Sequence, residues 1–271
     1  MRNLNEIHKP TSIADALEFL QQPGAVALAG GTALNADKRA DVRAVVDLSE
    51  LGLAYIRESA GAIALGATTR LSALAESPIL RALANGVLAQ AAHQSATSIL
   101  RNQATLAGTL ISEPAAVLAV ALLALDARVT VMGATTQTFA LDAWLAARAE
   151  MPPSLVVEIG VPLSNPRAAL CAVARTPSDK AIVCAVVAAQ IENGIARDVR
   201  IALGGVGATA TRAPAAEQTL RAQTFDDATI QNAARLAAQG ISPRGDFRGS
   251  AEYRIEMAHV LTRRALKELA S

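Results

Sequence analysis

Apolar positions in the first fifty residues predict an opening strand, then one helix, then two further strands. Over residues 13–21 the apolar side chains recur at helical spacing, and Ser12 stands where a helix N-cap is expected. The short apolar runs Ala25–Leu28 and 42–48 are bounded by glycine or polar residues, which is typical of buried strands. This part of the chain is therefore predicted to form a small α/β unit.

Residues 53–165 mix strand and helix patterns and are predicted to form a second α/β unit. Two apolar runs at 55–57 and 62–65 predict a pair of strands joined by a turn. Pro114 precedes the apolar run 115–125 and is predicted as the first-turn residue of a helix. Further strands are expected at 128–132 and 155–162, and further helices at about 69–76, 77–88, 88–96 and 140–148.

The pattern changes after Asn165, where Pro166 marks a predicted domain boundary. Asn193 and Gly194 separate two apolar runs, and this dipeptide favours a tight hairpin turn. Strands are expected at 169–175, 182–191 and 198–203, and helices at 215–220, 227–239 and 251–269. The predicted class is α+β, with a first domain at 1–165 (subdomains about 1–52 and 53–165) and a second at 166–271, which carries a three-stranded antiparallel sheet and helices.

Charge and hydropathy exclude several classes of protein. A net charge of +1 argues against a nucleic-acid-binding protein that uses a broad basic face. The apolar run 115–125 is far shorter than the ~20 residues that span a bilayer. The first residues lack the apolar core of a signal peptide. We therefore expect a cytoplasmic protein without a membrane span.

Cysteine and histidine offer little candidate chemistry. Cys171 and Cys184 stand in apolar surroundings, which indicates small buried side chains rather than a disulfide or a metal-ligand pair. The three histidines are scattered and fit neither a zinc-hydrolase motif nor a nucleophile elbow. No metal site and no catalytic residue are predicted in this chain.

Two turns that combine glycine with threonine are the most informative local features. Gly30, Gly31 and Thr32 follow the first predicted buried strand. Consecutive glycines allow left-handed backbone that exposes N–H groups in one concavity, and such concavities bind anions, most commonly phosphate. The segment 105–109 combines the same residue types. Two such turns could hold one diphosphate from both sides, but on the residues alone ordinary tight turns stay open.

Longer stretches resemble one family, in the same order along essentially the whole chain. The similar segments in the first part are IHKPTSIADAL (7–17), AGGT (29–32), LGATT (65–69), LAES (74–77) and RNQATLAG (101–108). Those in the second part are SD (178–179), ALGGV (202–206), TR (211–212), GSAEYR (249–254) and RRAL (263–266). Together they are similar to the FAD-binding medium subunit of the molybdenum hydroxylases, the family of carbon monoxide dehydrogenase and xanthine dehydrogenase.

The resemblance implies a PCMH/vanillyl-alcohol-oxidase-type FAD-binding domain of two α/β subdomains, followed by a C-terminal domain. In that family a large subunit oxidises the substrate at a molybdenum centre, and iron–sulfur clusters of a small subunit pass the electrons to FAD in the medium subunit. FAD then delivers them to an acceptor.

For this chain, the resemblance therefore implies an electron-transfer flavoprotein, with molybdopterin and iron–sulfur clusters only in partner chains of a hetero-oligomer. The implied FAD-contacting residues are Ala29, Gly30, Gly31, Thr32, Ala33 and Leu34 in a first diphosphate loop, Thr105, Ala107, Gly108 and Thr109 in a second, and Glu113 as an acceptor for a ribose hydroxyl.

Departures from the family pattern motivate a second hypothesis. Val117 stands where an acidic residue is usual, the segment 109–117 is one residue shorter than usual, and residues 168–171 lack an aromatic side chain. Ala107 replaces a common glycine and is tolerated where its φ is negative. These changes would suit a structural subunit of the same fold that has lost the cofactor. A third hypothesis is a flavoenzyme of the same superfamily that acts alone.

Overall fold

Three β-sheets, formed one after another along the chain, organise the fold. The structure is a computed structural model, and it describes residues 4–36, 41–176 and 179–270. The strands of the first sheet pair in parallel, whereas those of the other two sheets pair antiparallel. The predicted α+β class is therefore confirmed.

The first sheet has the strand order β1-β3-β2. Its strands are β1 (Glu6–His8), β2 (Ala25–Leu28) and β3 (Ala44–Asp47), and its helices are α1 (Ile13–Leu20) and α2 (Thr32–Ala36). Ser12 Oγ accepts a hydrogen bond from the Asp15 N–H at 3.1 Å, which confirms the predicted N-cap of α1. Helix α2 is missing from the prediction because five residues are too few for a helical pattern to show.

The second sheet has the order β4-β5-β8-β6-β7. Its strands are β4 (Ile56–Ser59), β5 (Ala62–Gly66), β6 (Arg128–Met132), β7 (Thr136–Ala140) and β8 (Leu155–Pro162). The helices around it are α3 (Leu71–Glu76), α4 (Pro78–Ala82), α5 (Val87–Gln94), α6 (Ser98–Arg101), α7 (Leu106–Ser112), α8 (Val117–Ala124) and α9 (Leu141–Ala147). The predicted pairing of the first two strands is confirmed, whereas β7 escaped prediction because its largely polar side chains show no apolar alternation.

Two helix predictions in this region are wrong. The helix expected at 77–88 is interrupted after α4, because Ala84 and Asn85 have left-handed backbones with φ of 48° and 56°. The Ala84 N–H donates instead to Asn165 Oδ1 at 2.9 Å. Pro114 is not in the first turn of α8, which begins at Val117. The Pro114 carbonyl accepts from the Ala210 N–H at 2.7 Å, which holds this segment against the C-terminal part of the chain.

The third sheet has the order β12-β11-β10-β9. Its strands are β9 (Arg167–Val173), β10 (Val183–Glu192), β11 (Ile195–Gly204) and β12 (Thr211–Arg212), and its helices are α10 (Pro214–Leu220), α11 (Asp227–Gln239) and α12 (Ala251–Ala270). The expected three-stranded sheet therefore has a fourth strand, which is too short for periodicity to reveal. The predicted hairpin turn is confirmed, with left-handed φ at Asn193 and Gly194 of 51° and 77°.

Strand β10 is buried on both faces, which explains its nearly continuous apolar sequence. Cys184 and Val186 point into a core that they share with α8, whereas Val183 and Val187 point into a second core against α11 and α12. Both cysteines of the chain are free. Burial raises the pKa of the Cys184 thiol to about 12, so this side chain stays protonated and packs as a small apolar group.

Helix α8 is the layer between the second and third sheets, and all of its residues are buried. In the described part of the chain, no single helix is both long and apolar enough to cross a membrane; α7 and α8 reach that composition only as a pair bent by 106°. Strand β11 comes so close to α8 at Gly204 that a Cβ there would overlap the Ala115 carbonyl oxygen and lie 2.5 Å from Val120 Cγ2.

The close contact at Gly204 leads to a stability prediction. Replacing Gly204 by alanine should lower the free energy of unfolding by about 2 kcal/mol and the unfolding temperature by roughly 4–8 °C. Thermal unfolding followed by circular dichroism measures this change. Gly160→Ala is the matched control, because a Cβ at Gly160 meets no atom within 4 Å. Equal unfolding temperatures of the two variants would contradict the tight contact.

Candidate functional site

A groove beside β2 and α7 brings the two glycine-threonine turns together. Its volume is about 720 Å³, within the range typical of small-molecule sites. The implied cofactor contacts that line it are Ala29, Gly30, Gly31, Thr32, Ala33, Leu34, Thr105, Ala107 and Gly108. The structure therefore gathers around one space residues that lie about seventy positions apart in sequence.

The first turn requires glycine at two positions for different reasons. Gly31 has a φ of +69°, a left-handed backbone in which a side chain would be strained. Gly30 lies against the backbone of Gln103 and Ala104, just before the second turn. A Cβ at Gly30 would overlap the Gln103 carbonyl oxygen and lie 2.7 Å from its carbon. The glycines thus allow the two turns to approach each other.

Three N–H groups at the start of α2 precede the first hydrogen bond of that helix. The Asn35 N–H donates to the Gly31 carbonyl at 2.9 Å, and the N–H groups of Thr32, Ala33 and Leu34 come before it. Within residues 4–36, 41–176 and 179–270, no hydrogen bond uses these three N–H groups. Because all three residues line the groove, their N–H groups are donors for an anion bound there.

The second turn is the start of helix α7 rather than a loop. Thr105 is the N-cap residue, with extended φ and ψ of −111° and 160°, and residues 107–109 lie inside the helix. Ala107 is not among the residues with left-handed backbone, so its extra methyl group is tolerated.

The start of α7 is fixed by neighbouring backbone. The N–H groups of Leu106 and Ala107 donate to the carbonyls of Thr69 and Ala67 at 2.9 and 3.0 Å. These two donors are therefore already used by the protein, in contrast to the three at the start of α2. Beyond these two N–H groups, α7 offers a ligand the side chain of its N-cap.

The Thr105 hydroxyl is a buried polar group without a partner. The residue is 6% exposed, and no donor or acceptor in the described part of the chain reaches its Oγ1. A Cβ at Gly108 would lie 2.8 Å from this oxygen, so glycine leaves room beside it. Because buried hydroxyls are normally paired, this hydroxyl is available to donate to an acceptor bound in the groove.

Two of the implied contacts lie outside the groove. Thr109 is buried and does not line it. Glu113, at the C-terminal end of α7, lines a smaller pocket of about 230 Å³ together with Val117. The Glu113 carboxylate pairs there with Lys180, with 2.5 Å between Oε1 and Nζ.

One wall of the smaller pocket depends on a buried arginine. Arg254 is 5% exposed, and its Nη1 donates to the carbonyls of Ile182 and Gly205 at 2.7 and 2.6 Å. Its Nη2 donates to Asp246 Oδ1 at 2.7 Å. Hydrogen bonds from the Arg248 N–H and from Arg254 lower the pKa of the Asp246 carboxyl, so this group stays ionised.

Sequence reasoning missed several residues that line the groove. They are Ala67, Thr68, Ile111, Ser112 and residues 153–156. Of these, only the threonine-rich turn at 66–69 could be recognised in the sequence. The others contribute backbone or apolar side chains, which form no recognisable motif. Arg148 supports this wall, because its Nη1 donates to the Ile111 carbonyl at 2.9 Å. Partial burial lowers the pKa of the Arg148 guanidinium.

None of the described residues that line the groove has an ionisable side chain. Among these residues, N–H dipoles and the Thr105 hydroxyl are the groups that can hold an anion. Leu20, Leu28, Leu48 and Leu155 line the remainder and suit a flat heterocyclic ring. In the described ranges no three His, Cys, Asp or Glu side chains come together as metal ligands.

Two family models cover nearly all of the chain. The model for the FAD-binding domain in molybdopterin dehydrogenase matches residues 2–164, and the model for the CO dehydrogenase flavoprotein C-terminal domain matches residues 168–269.

Named relatives agree. The chain is 34% identical over 231 residues to the 6-hydroxypseudooxynicotine dehydrogenase complex subunit alpha of Paenarthrobacter nicotinovorans, covering 82% of this chain and 78% of that one. It is 30% identical to the carbon monoxide dehydrogenase medium chain of Hydrogenophaga pseudoflava, with 96% and 95% covered.

Solved structures give the same result. The protein superposes on one chain of a carbon monoxide dehydrogenase from Hydrogenophaga pseudoflava, an enzyme that lacks the Mo-pyranopterin moiety of its molybdenum cofactor. The TM-score is 0.90 at 29% identity, and the superposition covers 97% of this chain and 96% of that one. Fold, groove and sequence therefore agree, and the chain belongs to the family of FAD-binding medium subunits of the molybdenum hydroxylases.

Proposed function

We propose that the groove binds FAD through its diphosphate, and that this chain passes electrons from the iron–sulfur clusters of a partner subunit to an acceptor. The observation that carries the proposal is the unpaired, buried Thr105 hydroxyl beside the free N–H groups of α2. A diphosphate supplies acceptor oxygens for both. In this proposal a small iron–sulfur subunit and a large molybdopterin subunit are the partners.

The residues of this chain would position the cofactor rather than react. Bound FAD supplies the redox chemistry, because a flavin both accepts and releases electrons. The N–H groups of Thr32, Ala33 and Leu34 would hold one side of the diphosphate, and Thr105 Oγ1 would donate to the other. The apolar walls would exclude water from the ring system. We place this site in a domain of residues 1–165, with residues 166–271 as a second domain beside it.

The family supports this function over a subunit that has lost its cofactor. The groove keeps both glycines of the first turn and the Thr105 hydroxyl. Of the departures that motivated the alternative, Val117 lines the smaller pocket and not the groove, and Ala107 is accommodated in a helix.

Replacing Thr105 by valine tests the proposal. The substitution removes a buried hydroxyl that has no partner in the free protein, so it should leave the unfolding temperature unchanged or raise it slightly. The same substitution should weaken FAD binding by roughly 10- to 100-fold, the value of a hydrogen bond to a charged group. Titration of the purified chain with FAD, followed by quenching of flavin fluorescence, measures the affinity.

Thr262→Val is the matched control. Thr262 also carries a buried hydroxyl without a partner in the described part of the chain, but it lies in α12. This variant should bind FAD as the unmodified chain does. A colourless chain that ignores added FAD would contradict the proposed function. Turnover of a small-molecule donor by the isolated chain would favour a flavoenzyme that acts alone.

A further inference from the structure

We propose that the unpaired side of β2 recognises the adenine base of the dinucleotide through main-chain hydrogen bonds, with the Ala25 carbonyl as acceptor and the Ala27 N–H as donor. We call this side of the strand the free edge of β2. The inference rests on the proposed function, in which the groove binds FAD. It adds which end of the dinucleotide lies beside β2 and how its base is distinguished from other purines.

Strand β2 lies at the edge of the first sheet, and among the described strands it pairs only with β3. Two hydrogen bonds show which residues face β3. The Gly24 carbonyl accepts from the Ala44 N–H at 3.3 Å, and the Leu28 carbonyl accepts from the Leu48 N–H at 2.8 Å. In a parallel ladder the N–H and the carbonyl of one residue point to the same side, and successive residues alternate. Every second residue from Gly24 to Leu28 therefore faces β3.

The alternating residues Ala25 and Ala27 direct their main-chain groups to the free edge. The Ala25 N–H donates to the Gln22 carbonyl at 3.1 Å, so its carbonyl is the group that Ala25 can offer to a ligand. Within the described ranges no turn or loop hydrogen bond reaches this carbonyl or the Ala27 N–H. Ala27 is exposed, and both residues line the groove. A ligand bound there therefore meets a main-chain acceptor and a main-chain donor side by side.

This pair of groups matches the polar edge of adenine. Adenine presents an amino donor beside a ring-nitrogen acceptor. The amino group can donate to the Ala25 carbonyl while the ring nitrogen accepts from the Ala27 N–H. Guanine and hypoxanthine carry a carbonyl oxygen in place of this amino group, which would set two acceptors against each other. The free edge therefore favours adenine, because the other purines leave the Ala25 carbonyl without a donor.

The surroundings of the free edge suit a flat and neutral base. Leu20, Leu48 and Leu155 belong to one apolar cluster beside the first sheet, and all three line the groove. None of the described lining residues has an ionisable side chain. Reduction adds negative charge to the isoalloxazine ring, which apolar walls disfavour, whereas adenine keeps the same charge in both redox states. Adenine rather than the flavin ring is therefore the occupant of this end of the groove.

The position of the free edge along the chain agrees with this assignment. Strand β2 ends at Leu28, and the N–H groups proposed to hold the diphosphate begin at Thr32, with the glycine turn between them. In FAD a single ribose joins the adenine to the diphosphate. Neighbouring parts of the ligand are thus bound by neighbouring parts of the chain.

Three ligands test the proposal. The whole chain, freed of bound flavin, is titrated with FAD, with the hypoxanthine analogue of FAD and with FMN, which has no base. FAD should bind about 10- to 100-fold more tightly than the hypoxanthine analogue, as expected when a buried polar group loses its partner. FMN should bind more weakly than FAD as well. Equal dissociation constants for FAD and the analogue, or for FAD and FMN, would overturn the proposal.

A proline substitution removes the donor of the free edge. Ala27→Pro deletes an N–H that points away from β3, which an edge strand tolerates, and should raise the dissociation constant for FAD about 10-fold or more. Ile7→Pro is the matched control on β1, the opposite edge strand. The Glu6 N–H donates to the Arg43 carbonyl at 3.3 Å, so the Ile7 N–H also points away from β3, and Ile7 does not line the groove.

The control variant should bind FAD as the unmodified chain does, and circular dichroism establishes that both variants fold. Equal affinities of the two folded variants for FAD would overturn the proposal. If Ala27→Pro did not fold, the comparison of FAD with its hypoxanthine analogue on the unmodified chain would decide.

Titration with ADP and with inosine diphosphate separates this inference from the proposed function. A chain that ignores FAD would refute the proposed function. Tighter binding of ADP than of inosine diphosphate would then still support the free edge as an adenine site. Equal or absent binding of the two nucleotides by such a chain would overturn this inference as well.

Discussion

Replacing Gly30 by valine should abolish FAD binding, with a loss of affinity of at least about 100-fold, or roughly 3 kcal/mol. The new side chain would occupy the space of the Gln103 carbonyl, which is backbone and cannot rotate away. The two turns would then separate, and the N–H groups of α2 could no longer face the Thr105 hydroxyl across one diphosphate. Flavin absorbance of the purified protein and FAD titration measure the loss.

A control variant shows whether the loss of FAD binding depends on the position of the new side chain in the groove. Gly160→Val introduces the same side chain into β8 at a position where a Cβ meets no atom within 4 Å. This variant should keep its flavin. Circular dichroism of Gly30→Val establishes that the chain still folds. A folded Gly30→Val protein with normal FAD content would show that the close approach of the two turns is not what holds the cofactor.

Replacing Arg254 by methionine should cause a larger loss of stability than the Gly204→Ala substitution. Removal of the guanidinium leaves the buried carbonyls of Ile182 and Gly205 without their donor and Asp246 without its cation. The expected decrease in the free energy of unfolding is about 3 kcal/mol, because Asp246 is partly exposed and water can replace part of what it loses. This corresponds to a decrease of roughly 6–12 °C in the unfolding temperature.

Differential scanning calorimetry measures this change, and Arg235→Met is the control. Arg235 is exposed on α11 and, among the described residues, donates only to Gln239 and Asn232 of its own helix. Its replacement should change the free energy of unfolding by less than about 0.5 kcal/mol. If both variants unfolded at the same temperature, the hydrogen bonds of Arg254 would not stabilise the wall of the smaller pocket.

The sequence predicted the elements in which apolar side chains recur at regular spacing over several helical turns or strand residues. Helix α11 was predicted with its observed bounds. The hairpin was predicted because Asn193 and Gly194 favour the left-handed backbone of a tight turn. The short elements β7, β12 and α2 were missed because each is fixed by its neighbours rather than by its own pattern. The break after α4 was missed because it depends on a hydrogen bond from Ala84 to Asn165, which is distant in sequence.

The candidate site was predictable only in part for the same reason. Gly30 and Gly31 carry their signal in the residue type, since Gly31 has left-handed backbone and Gly30 leaves no room for a Cβ. The unpaired state of the Thr105 hydroxyl and the overlap at Gly30 require the three-dimensional position of Gln103, which no local pattern contains. Glu113 was expected beside a ribose, but its pairing with Lys180 links two segments that the sequence places in separate predicted domains.

The burial of α8 between two sheets also determines how the chain responds when its C-terminal part is removed. Because residues from both sides of position 165 complete a single apolar core around this helix, the sequence boundary is not an energetic one. A chain cut there would expose the flank of α8 that β10 and β11 cover. We therefore expect residues 1–165 alone to unfold at a lower temperature than the whole chain.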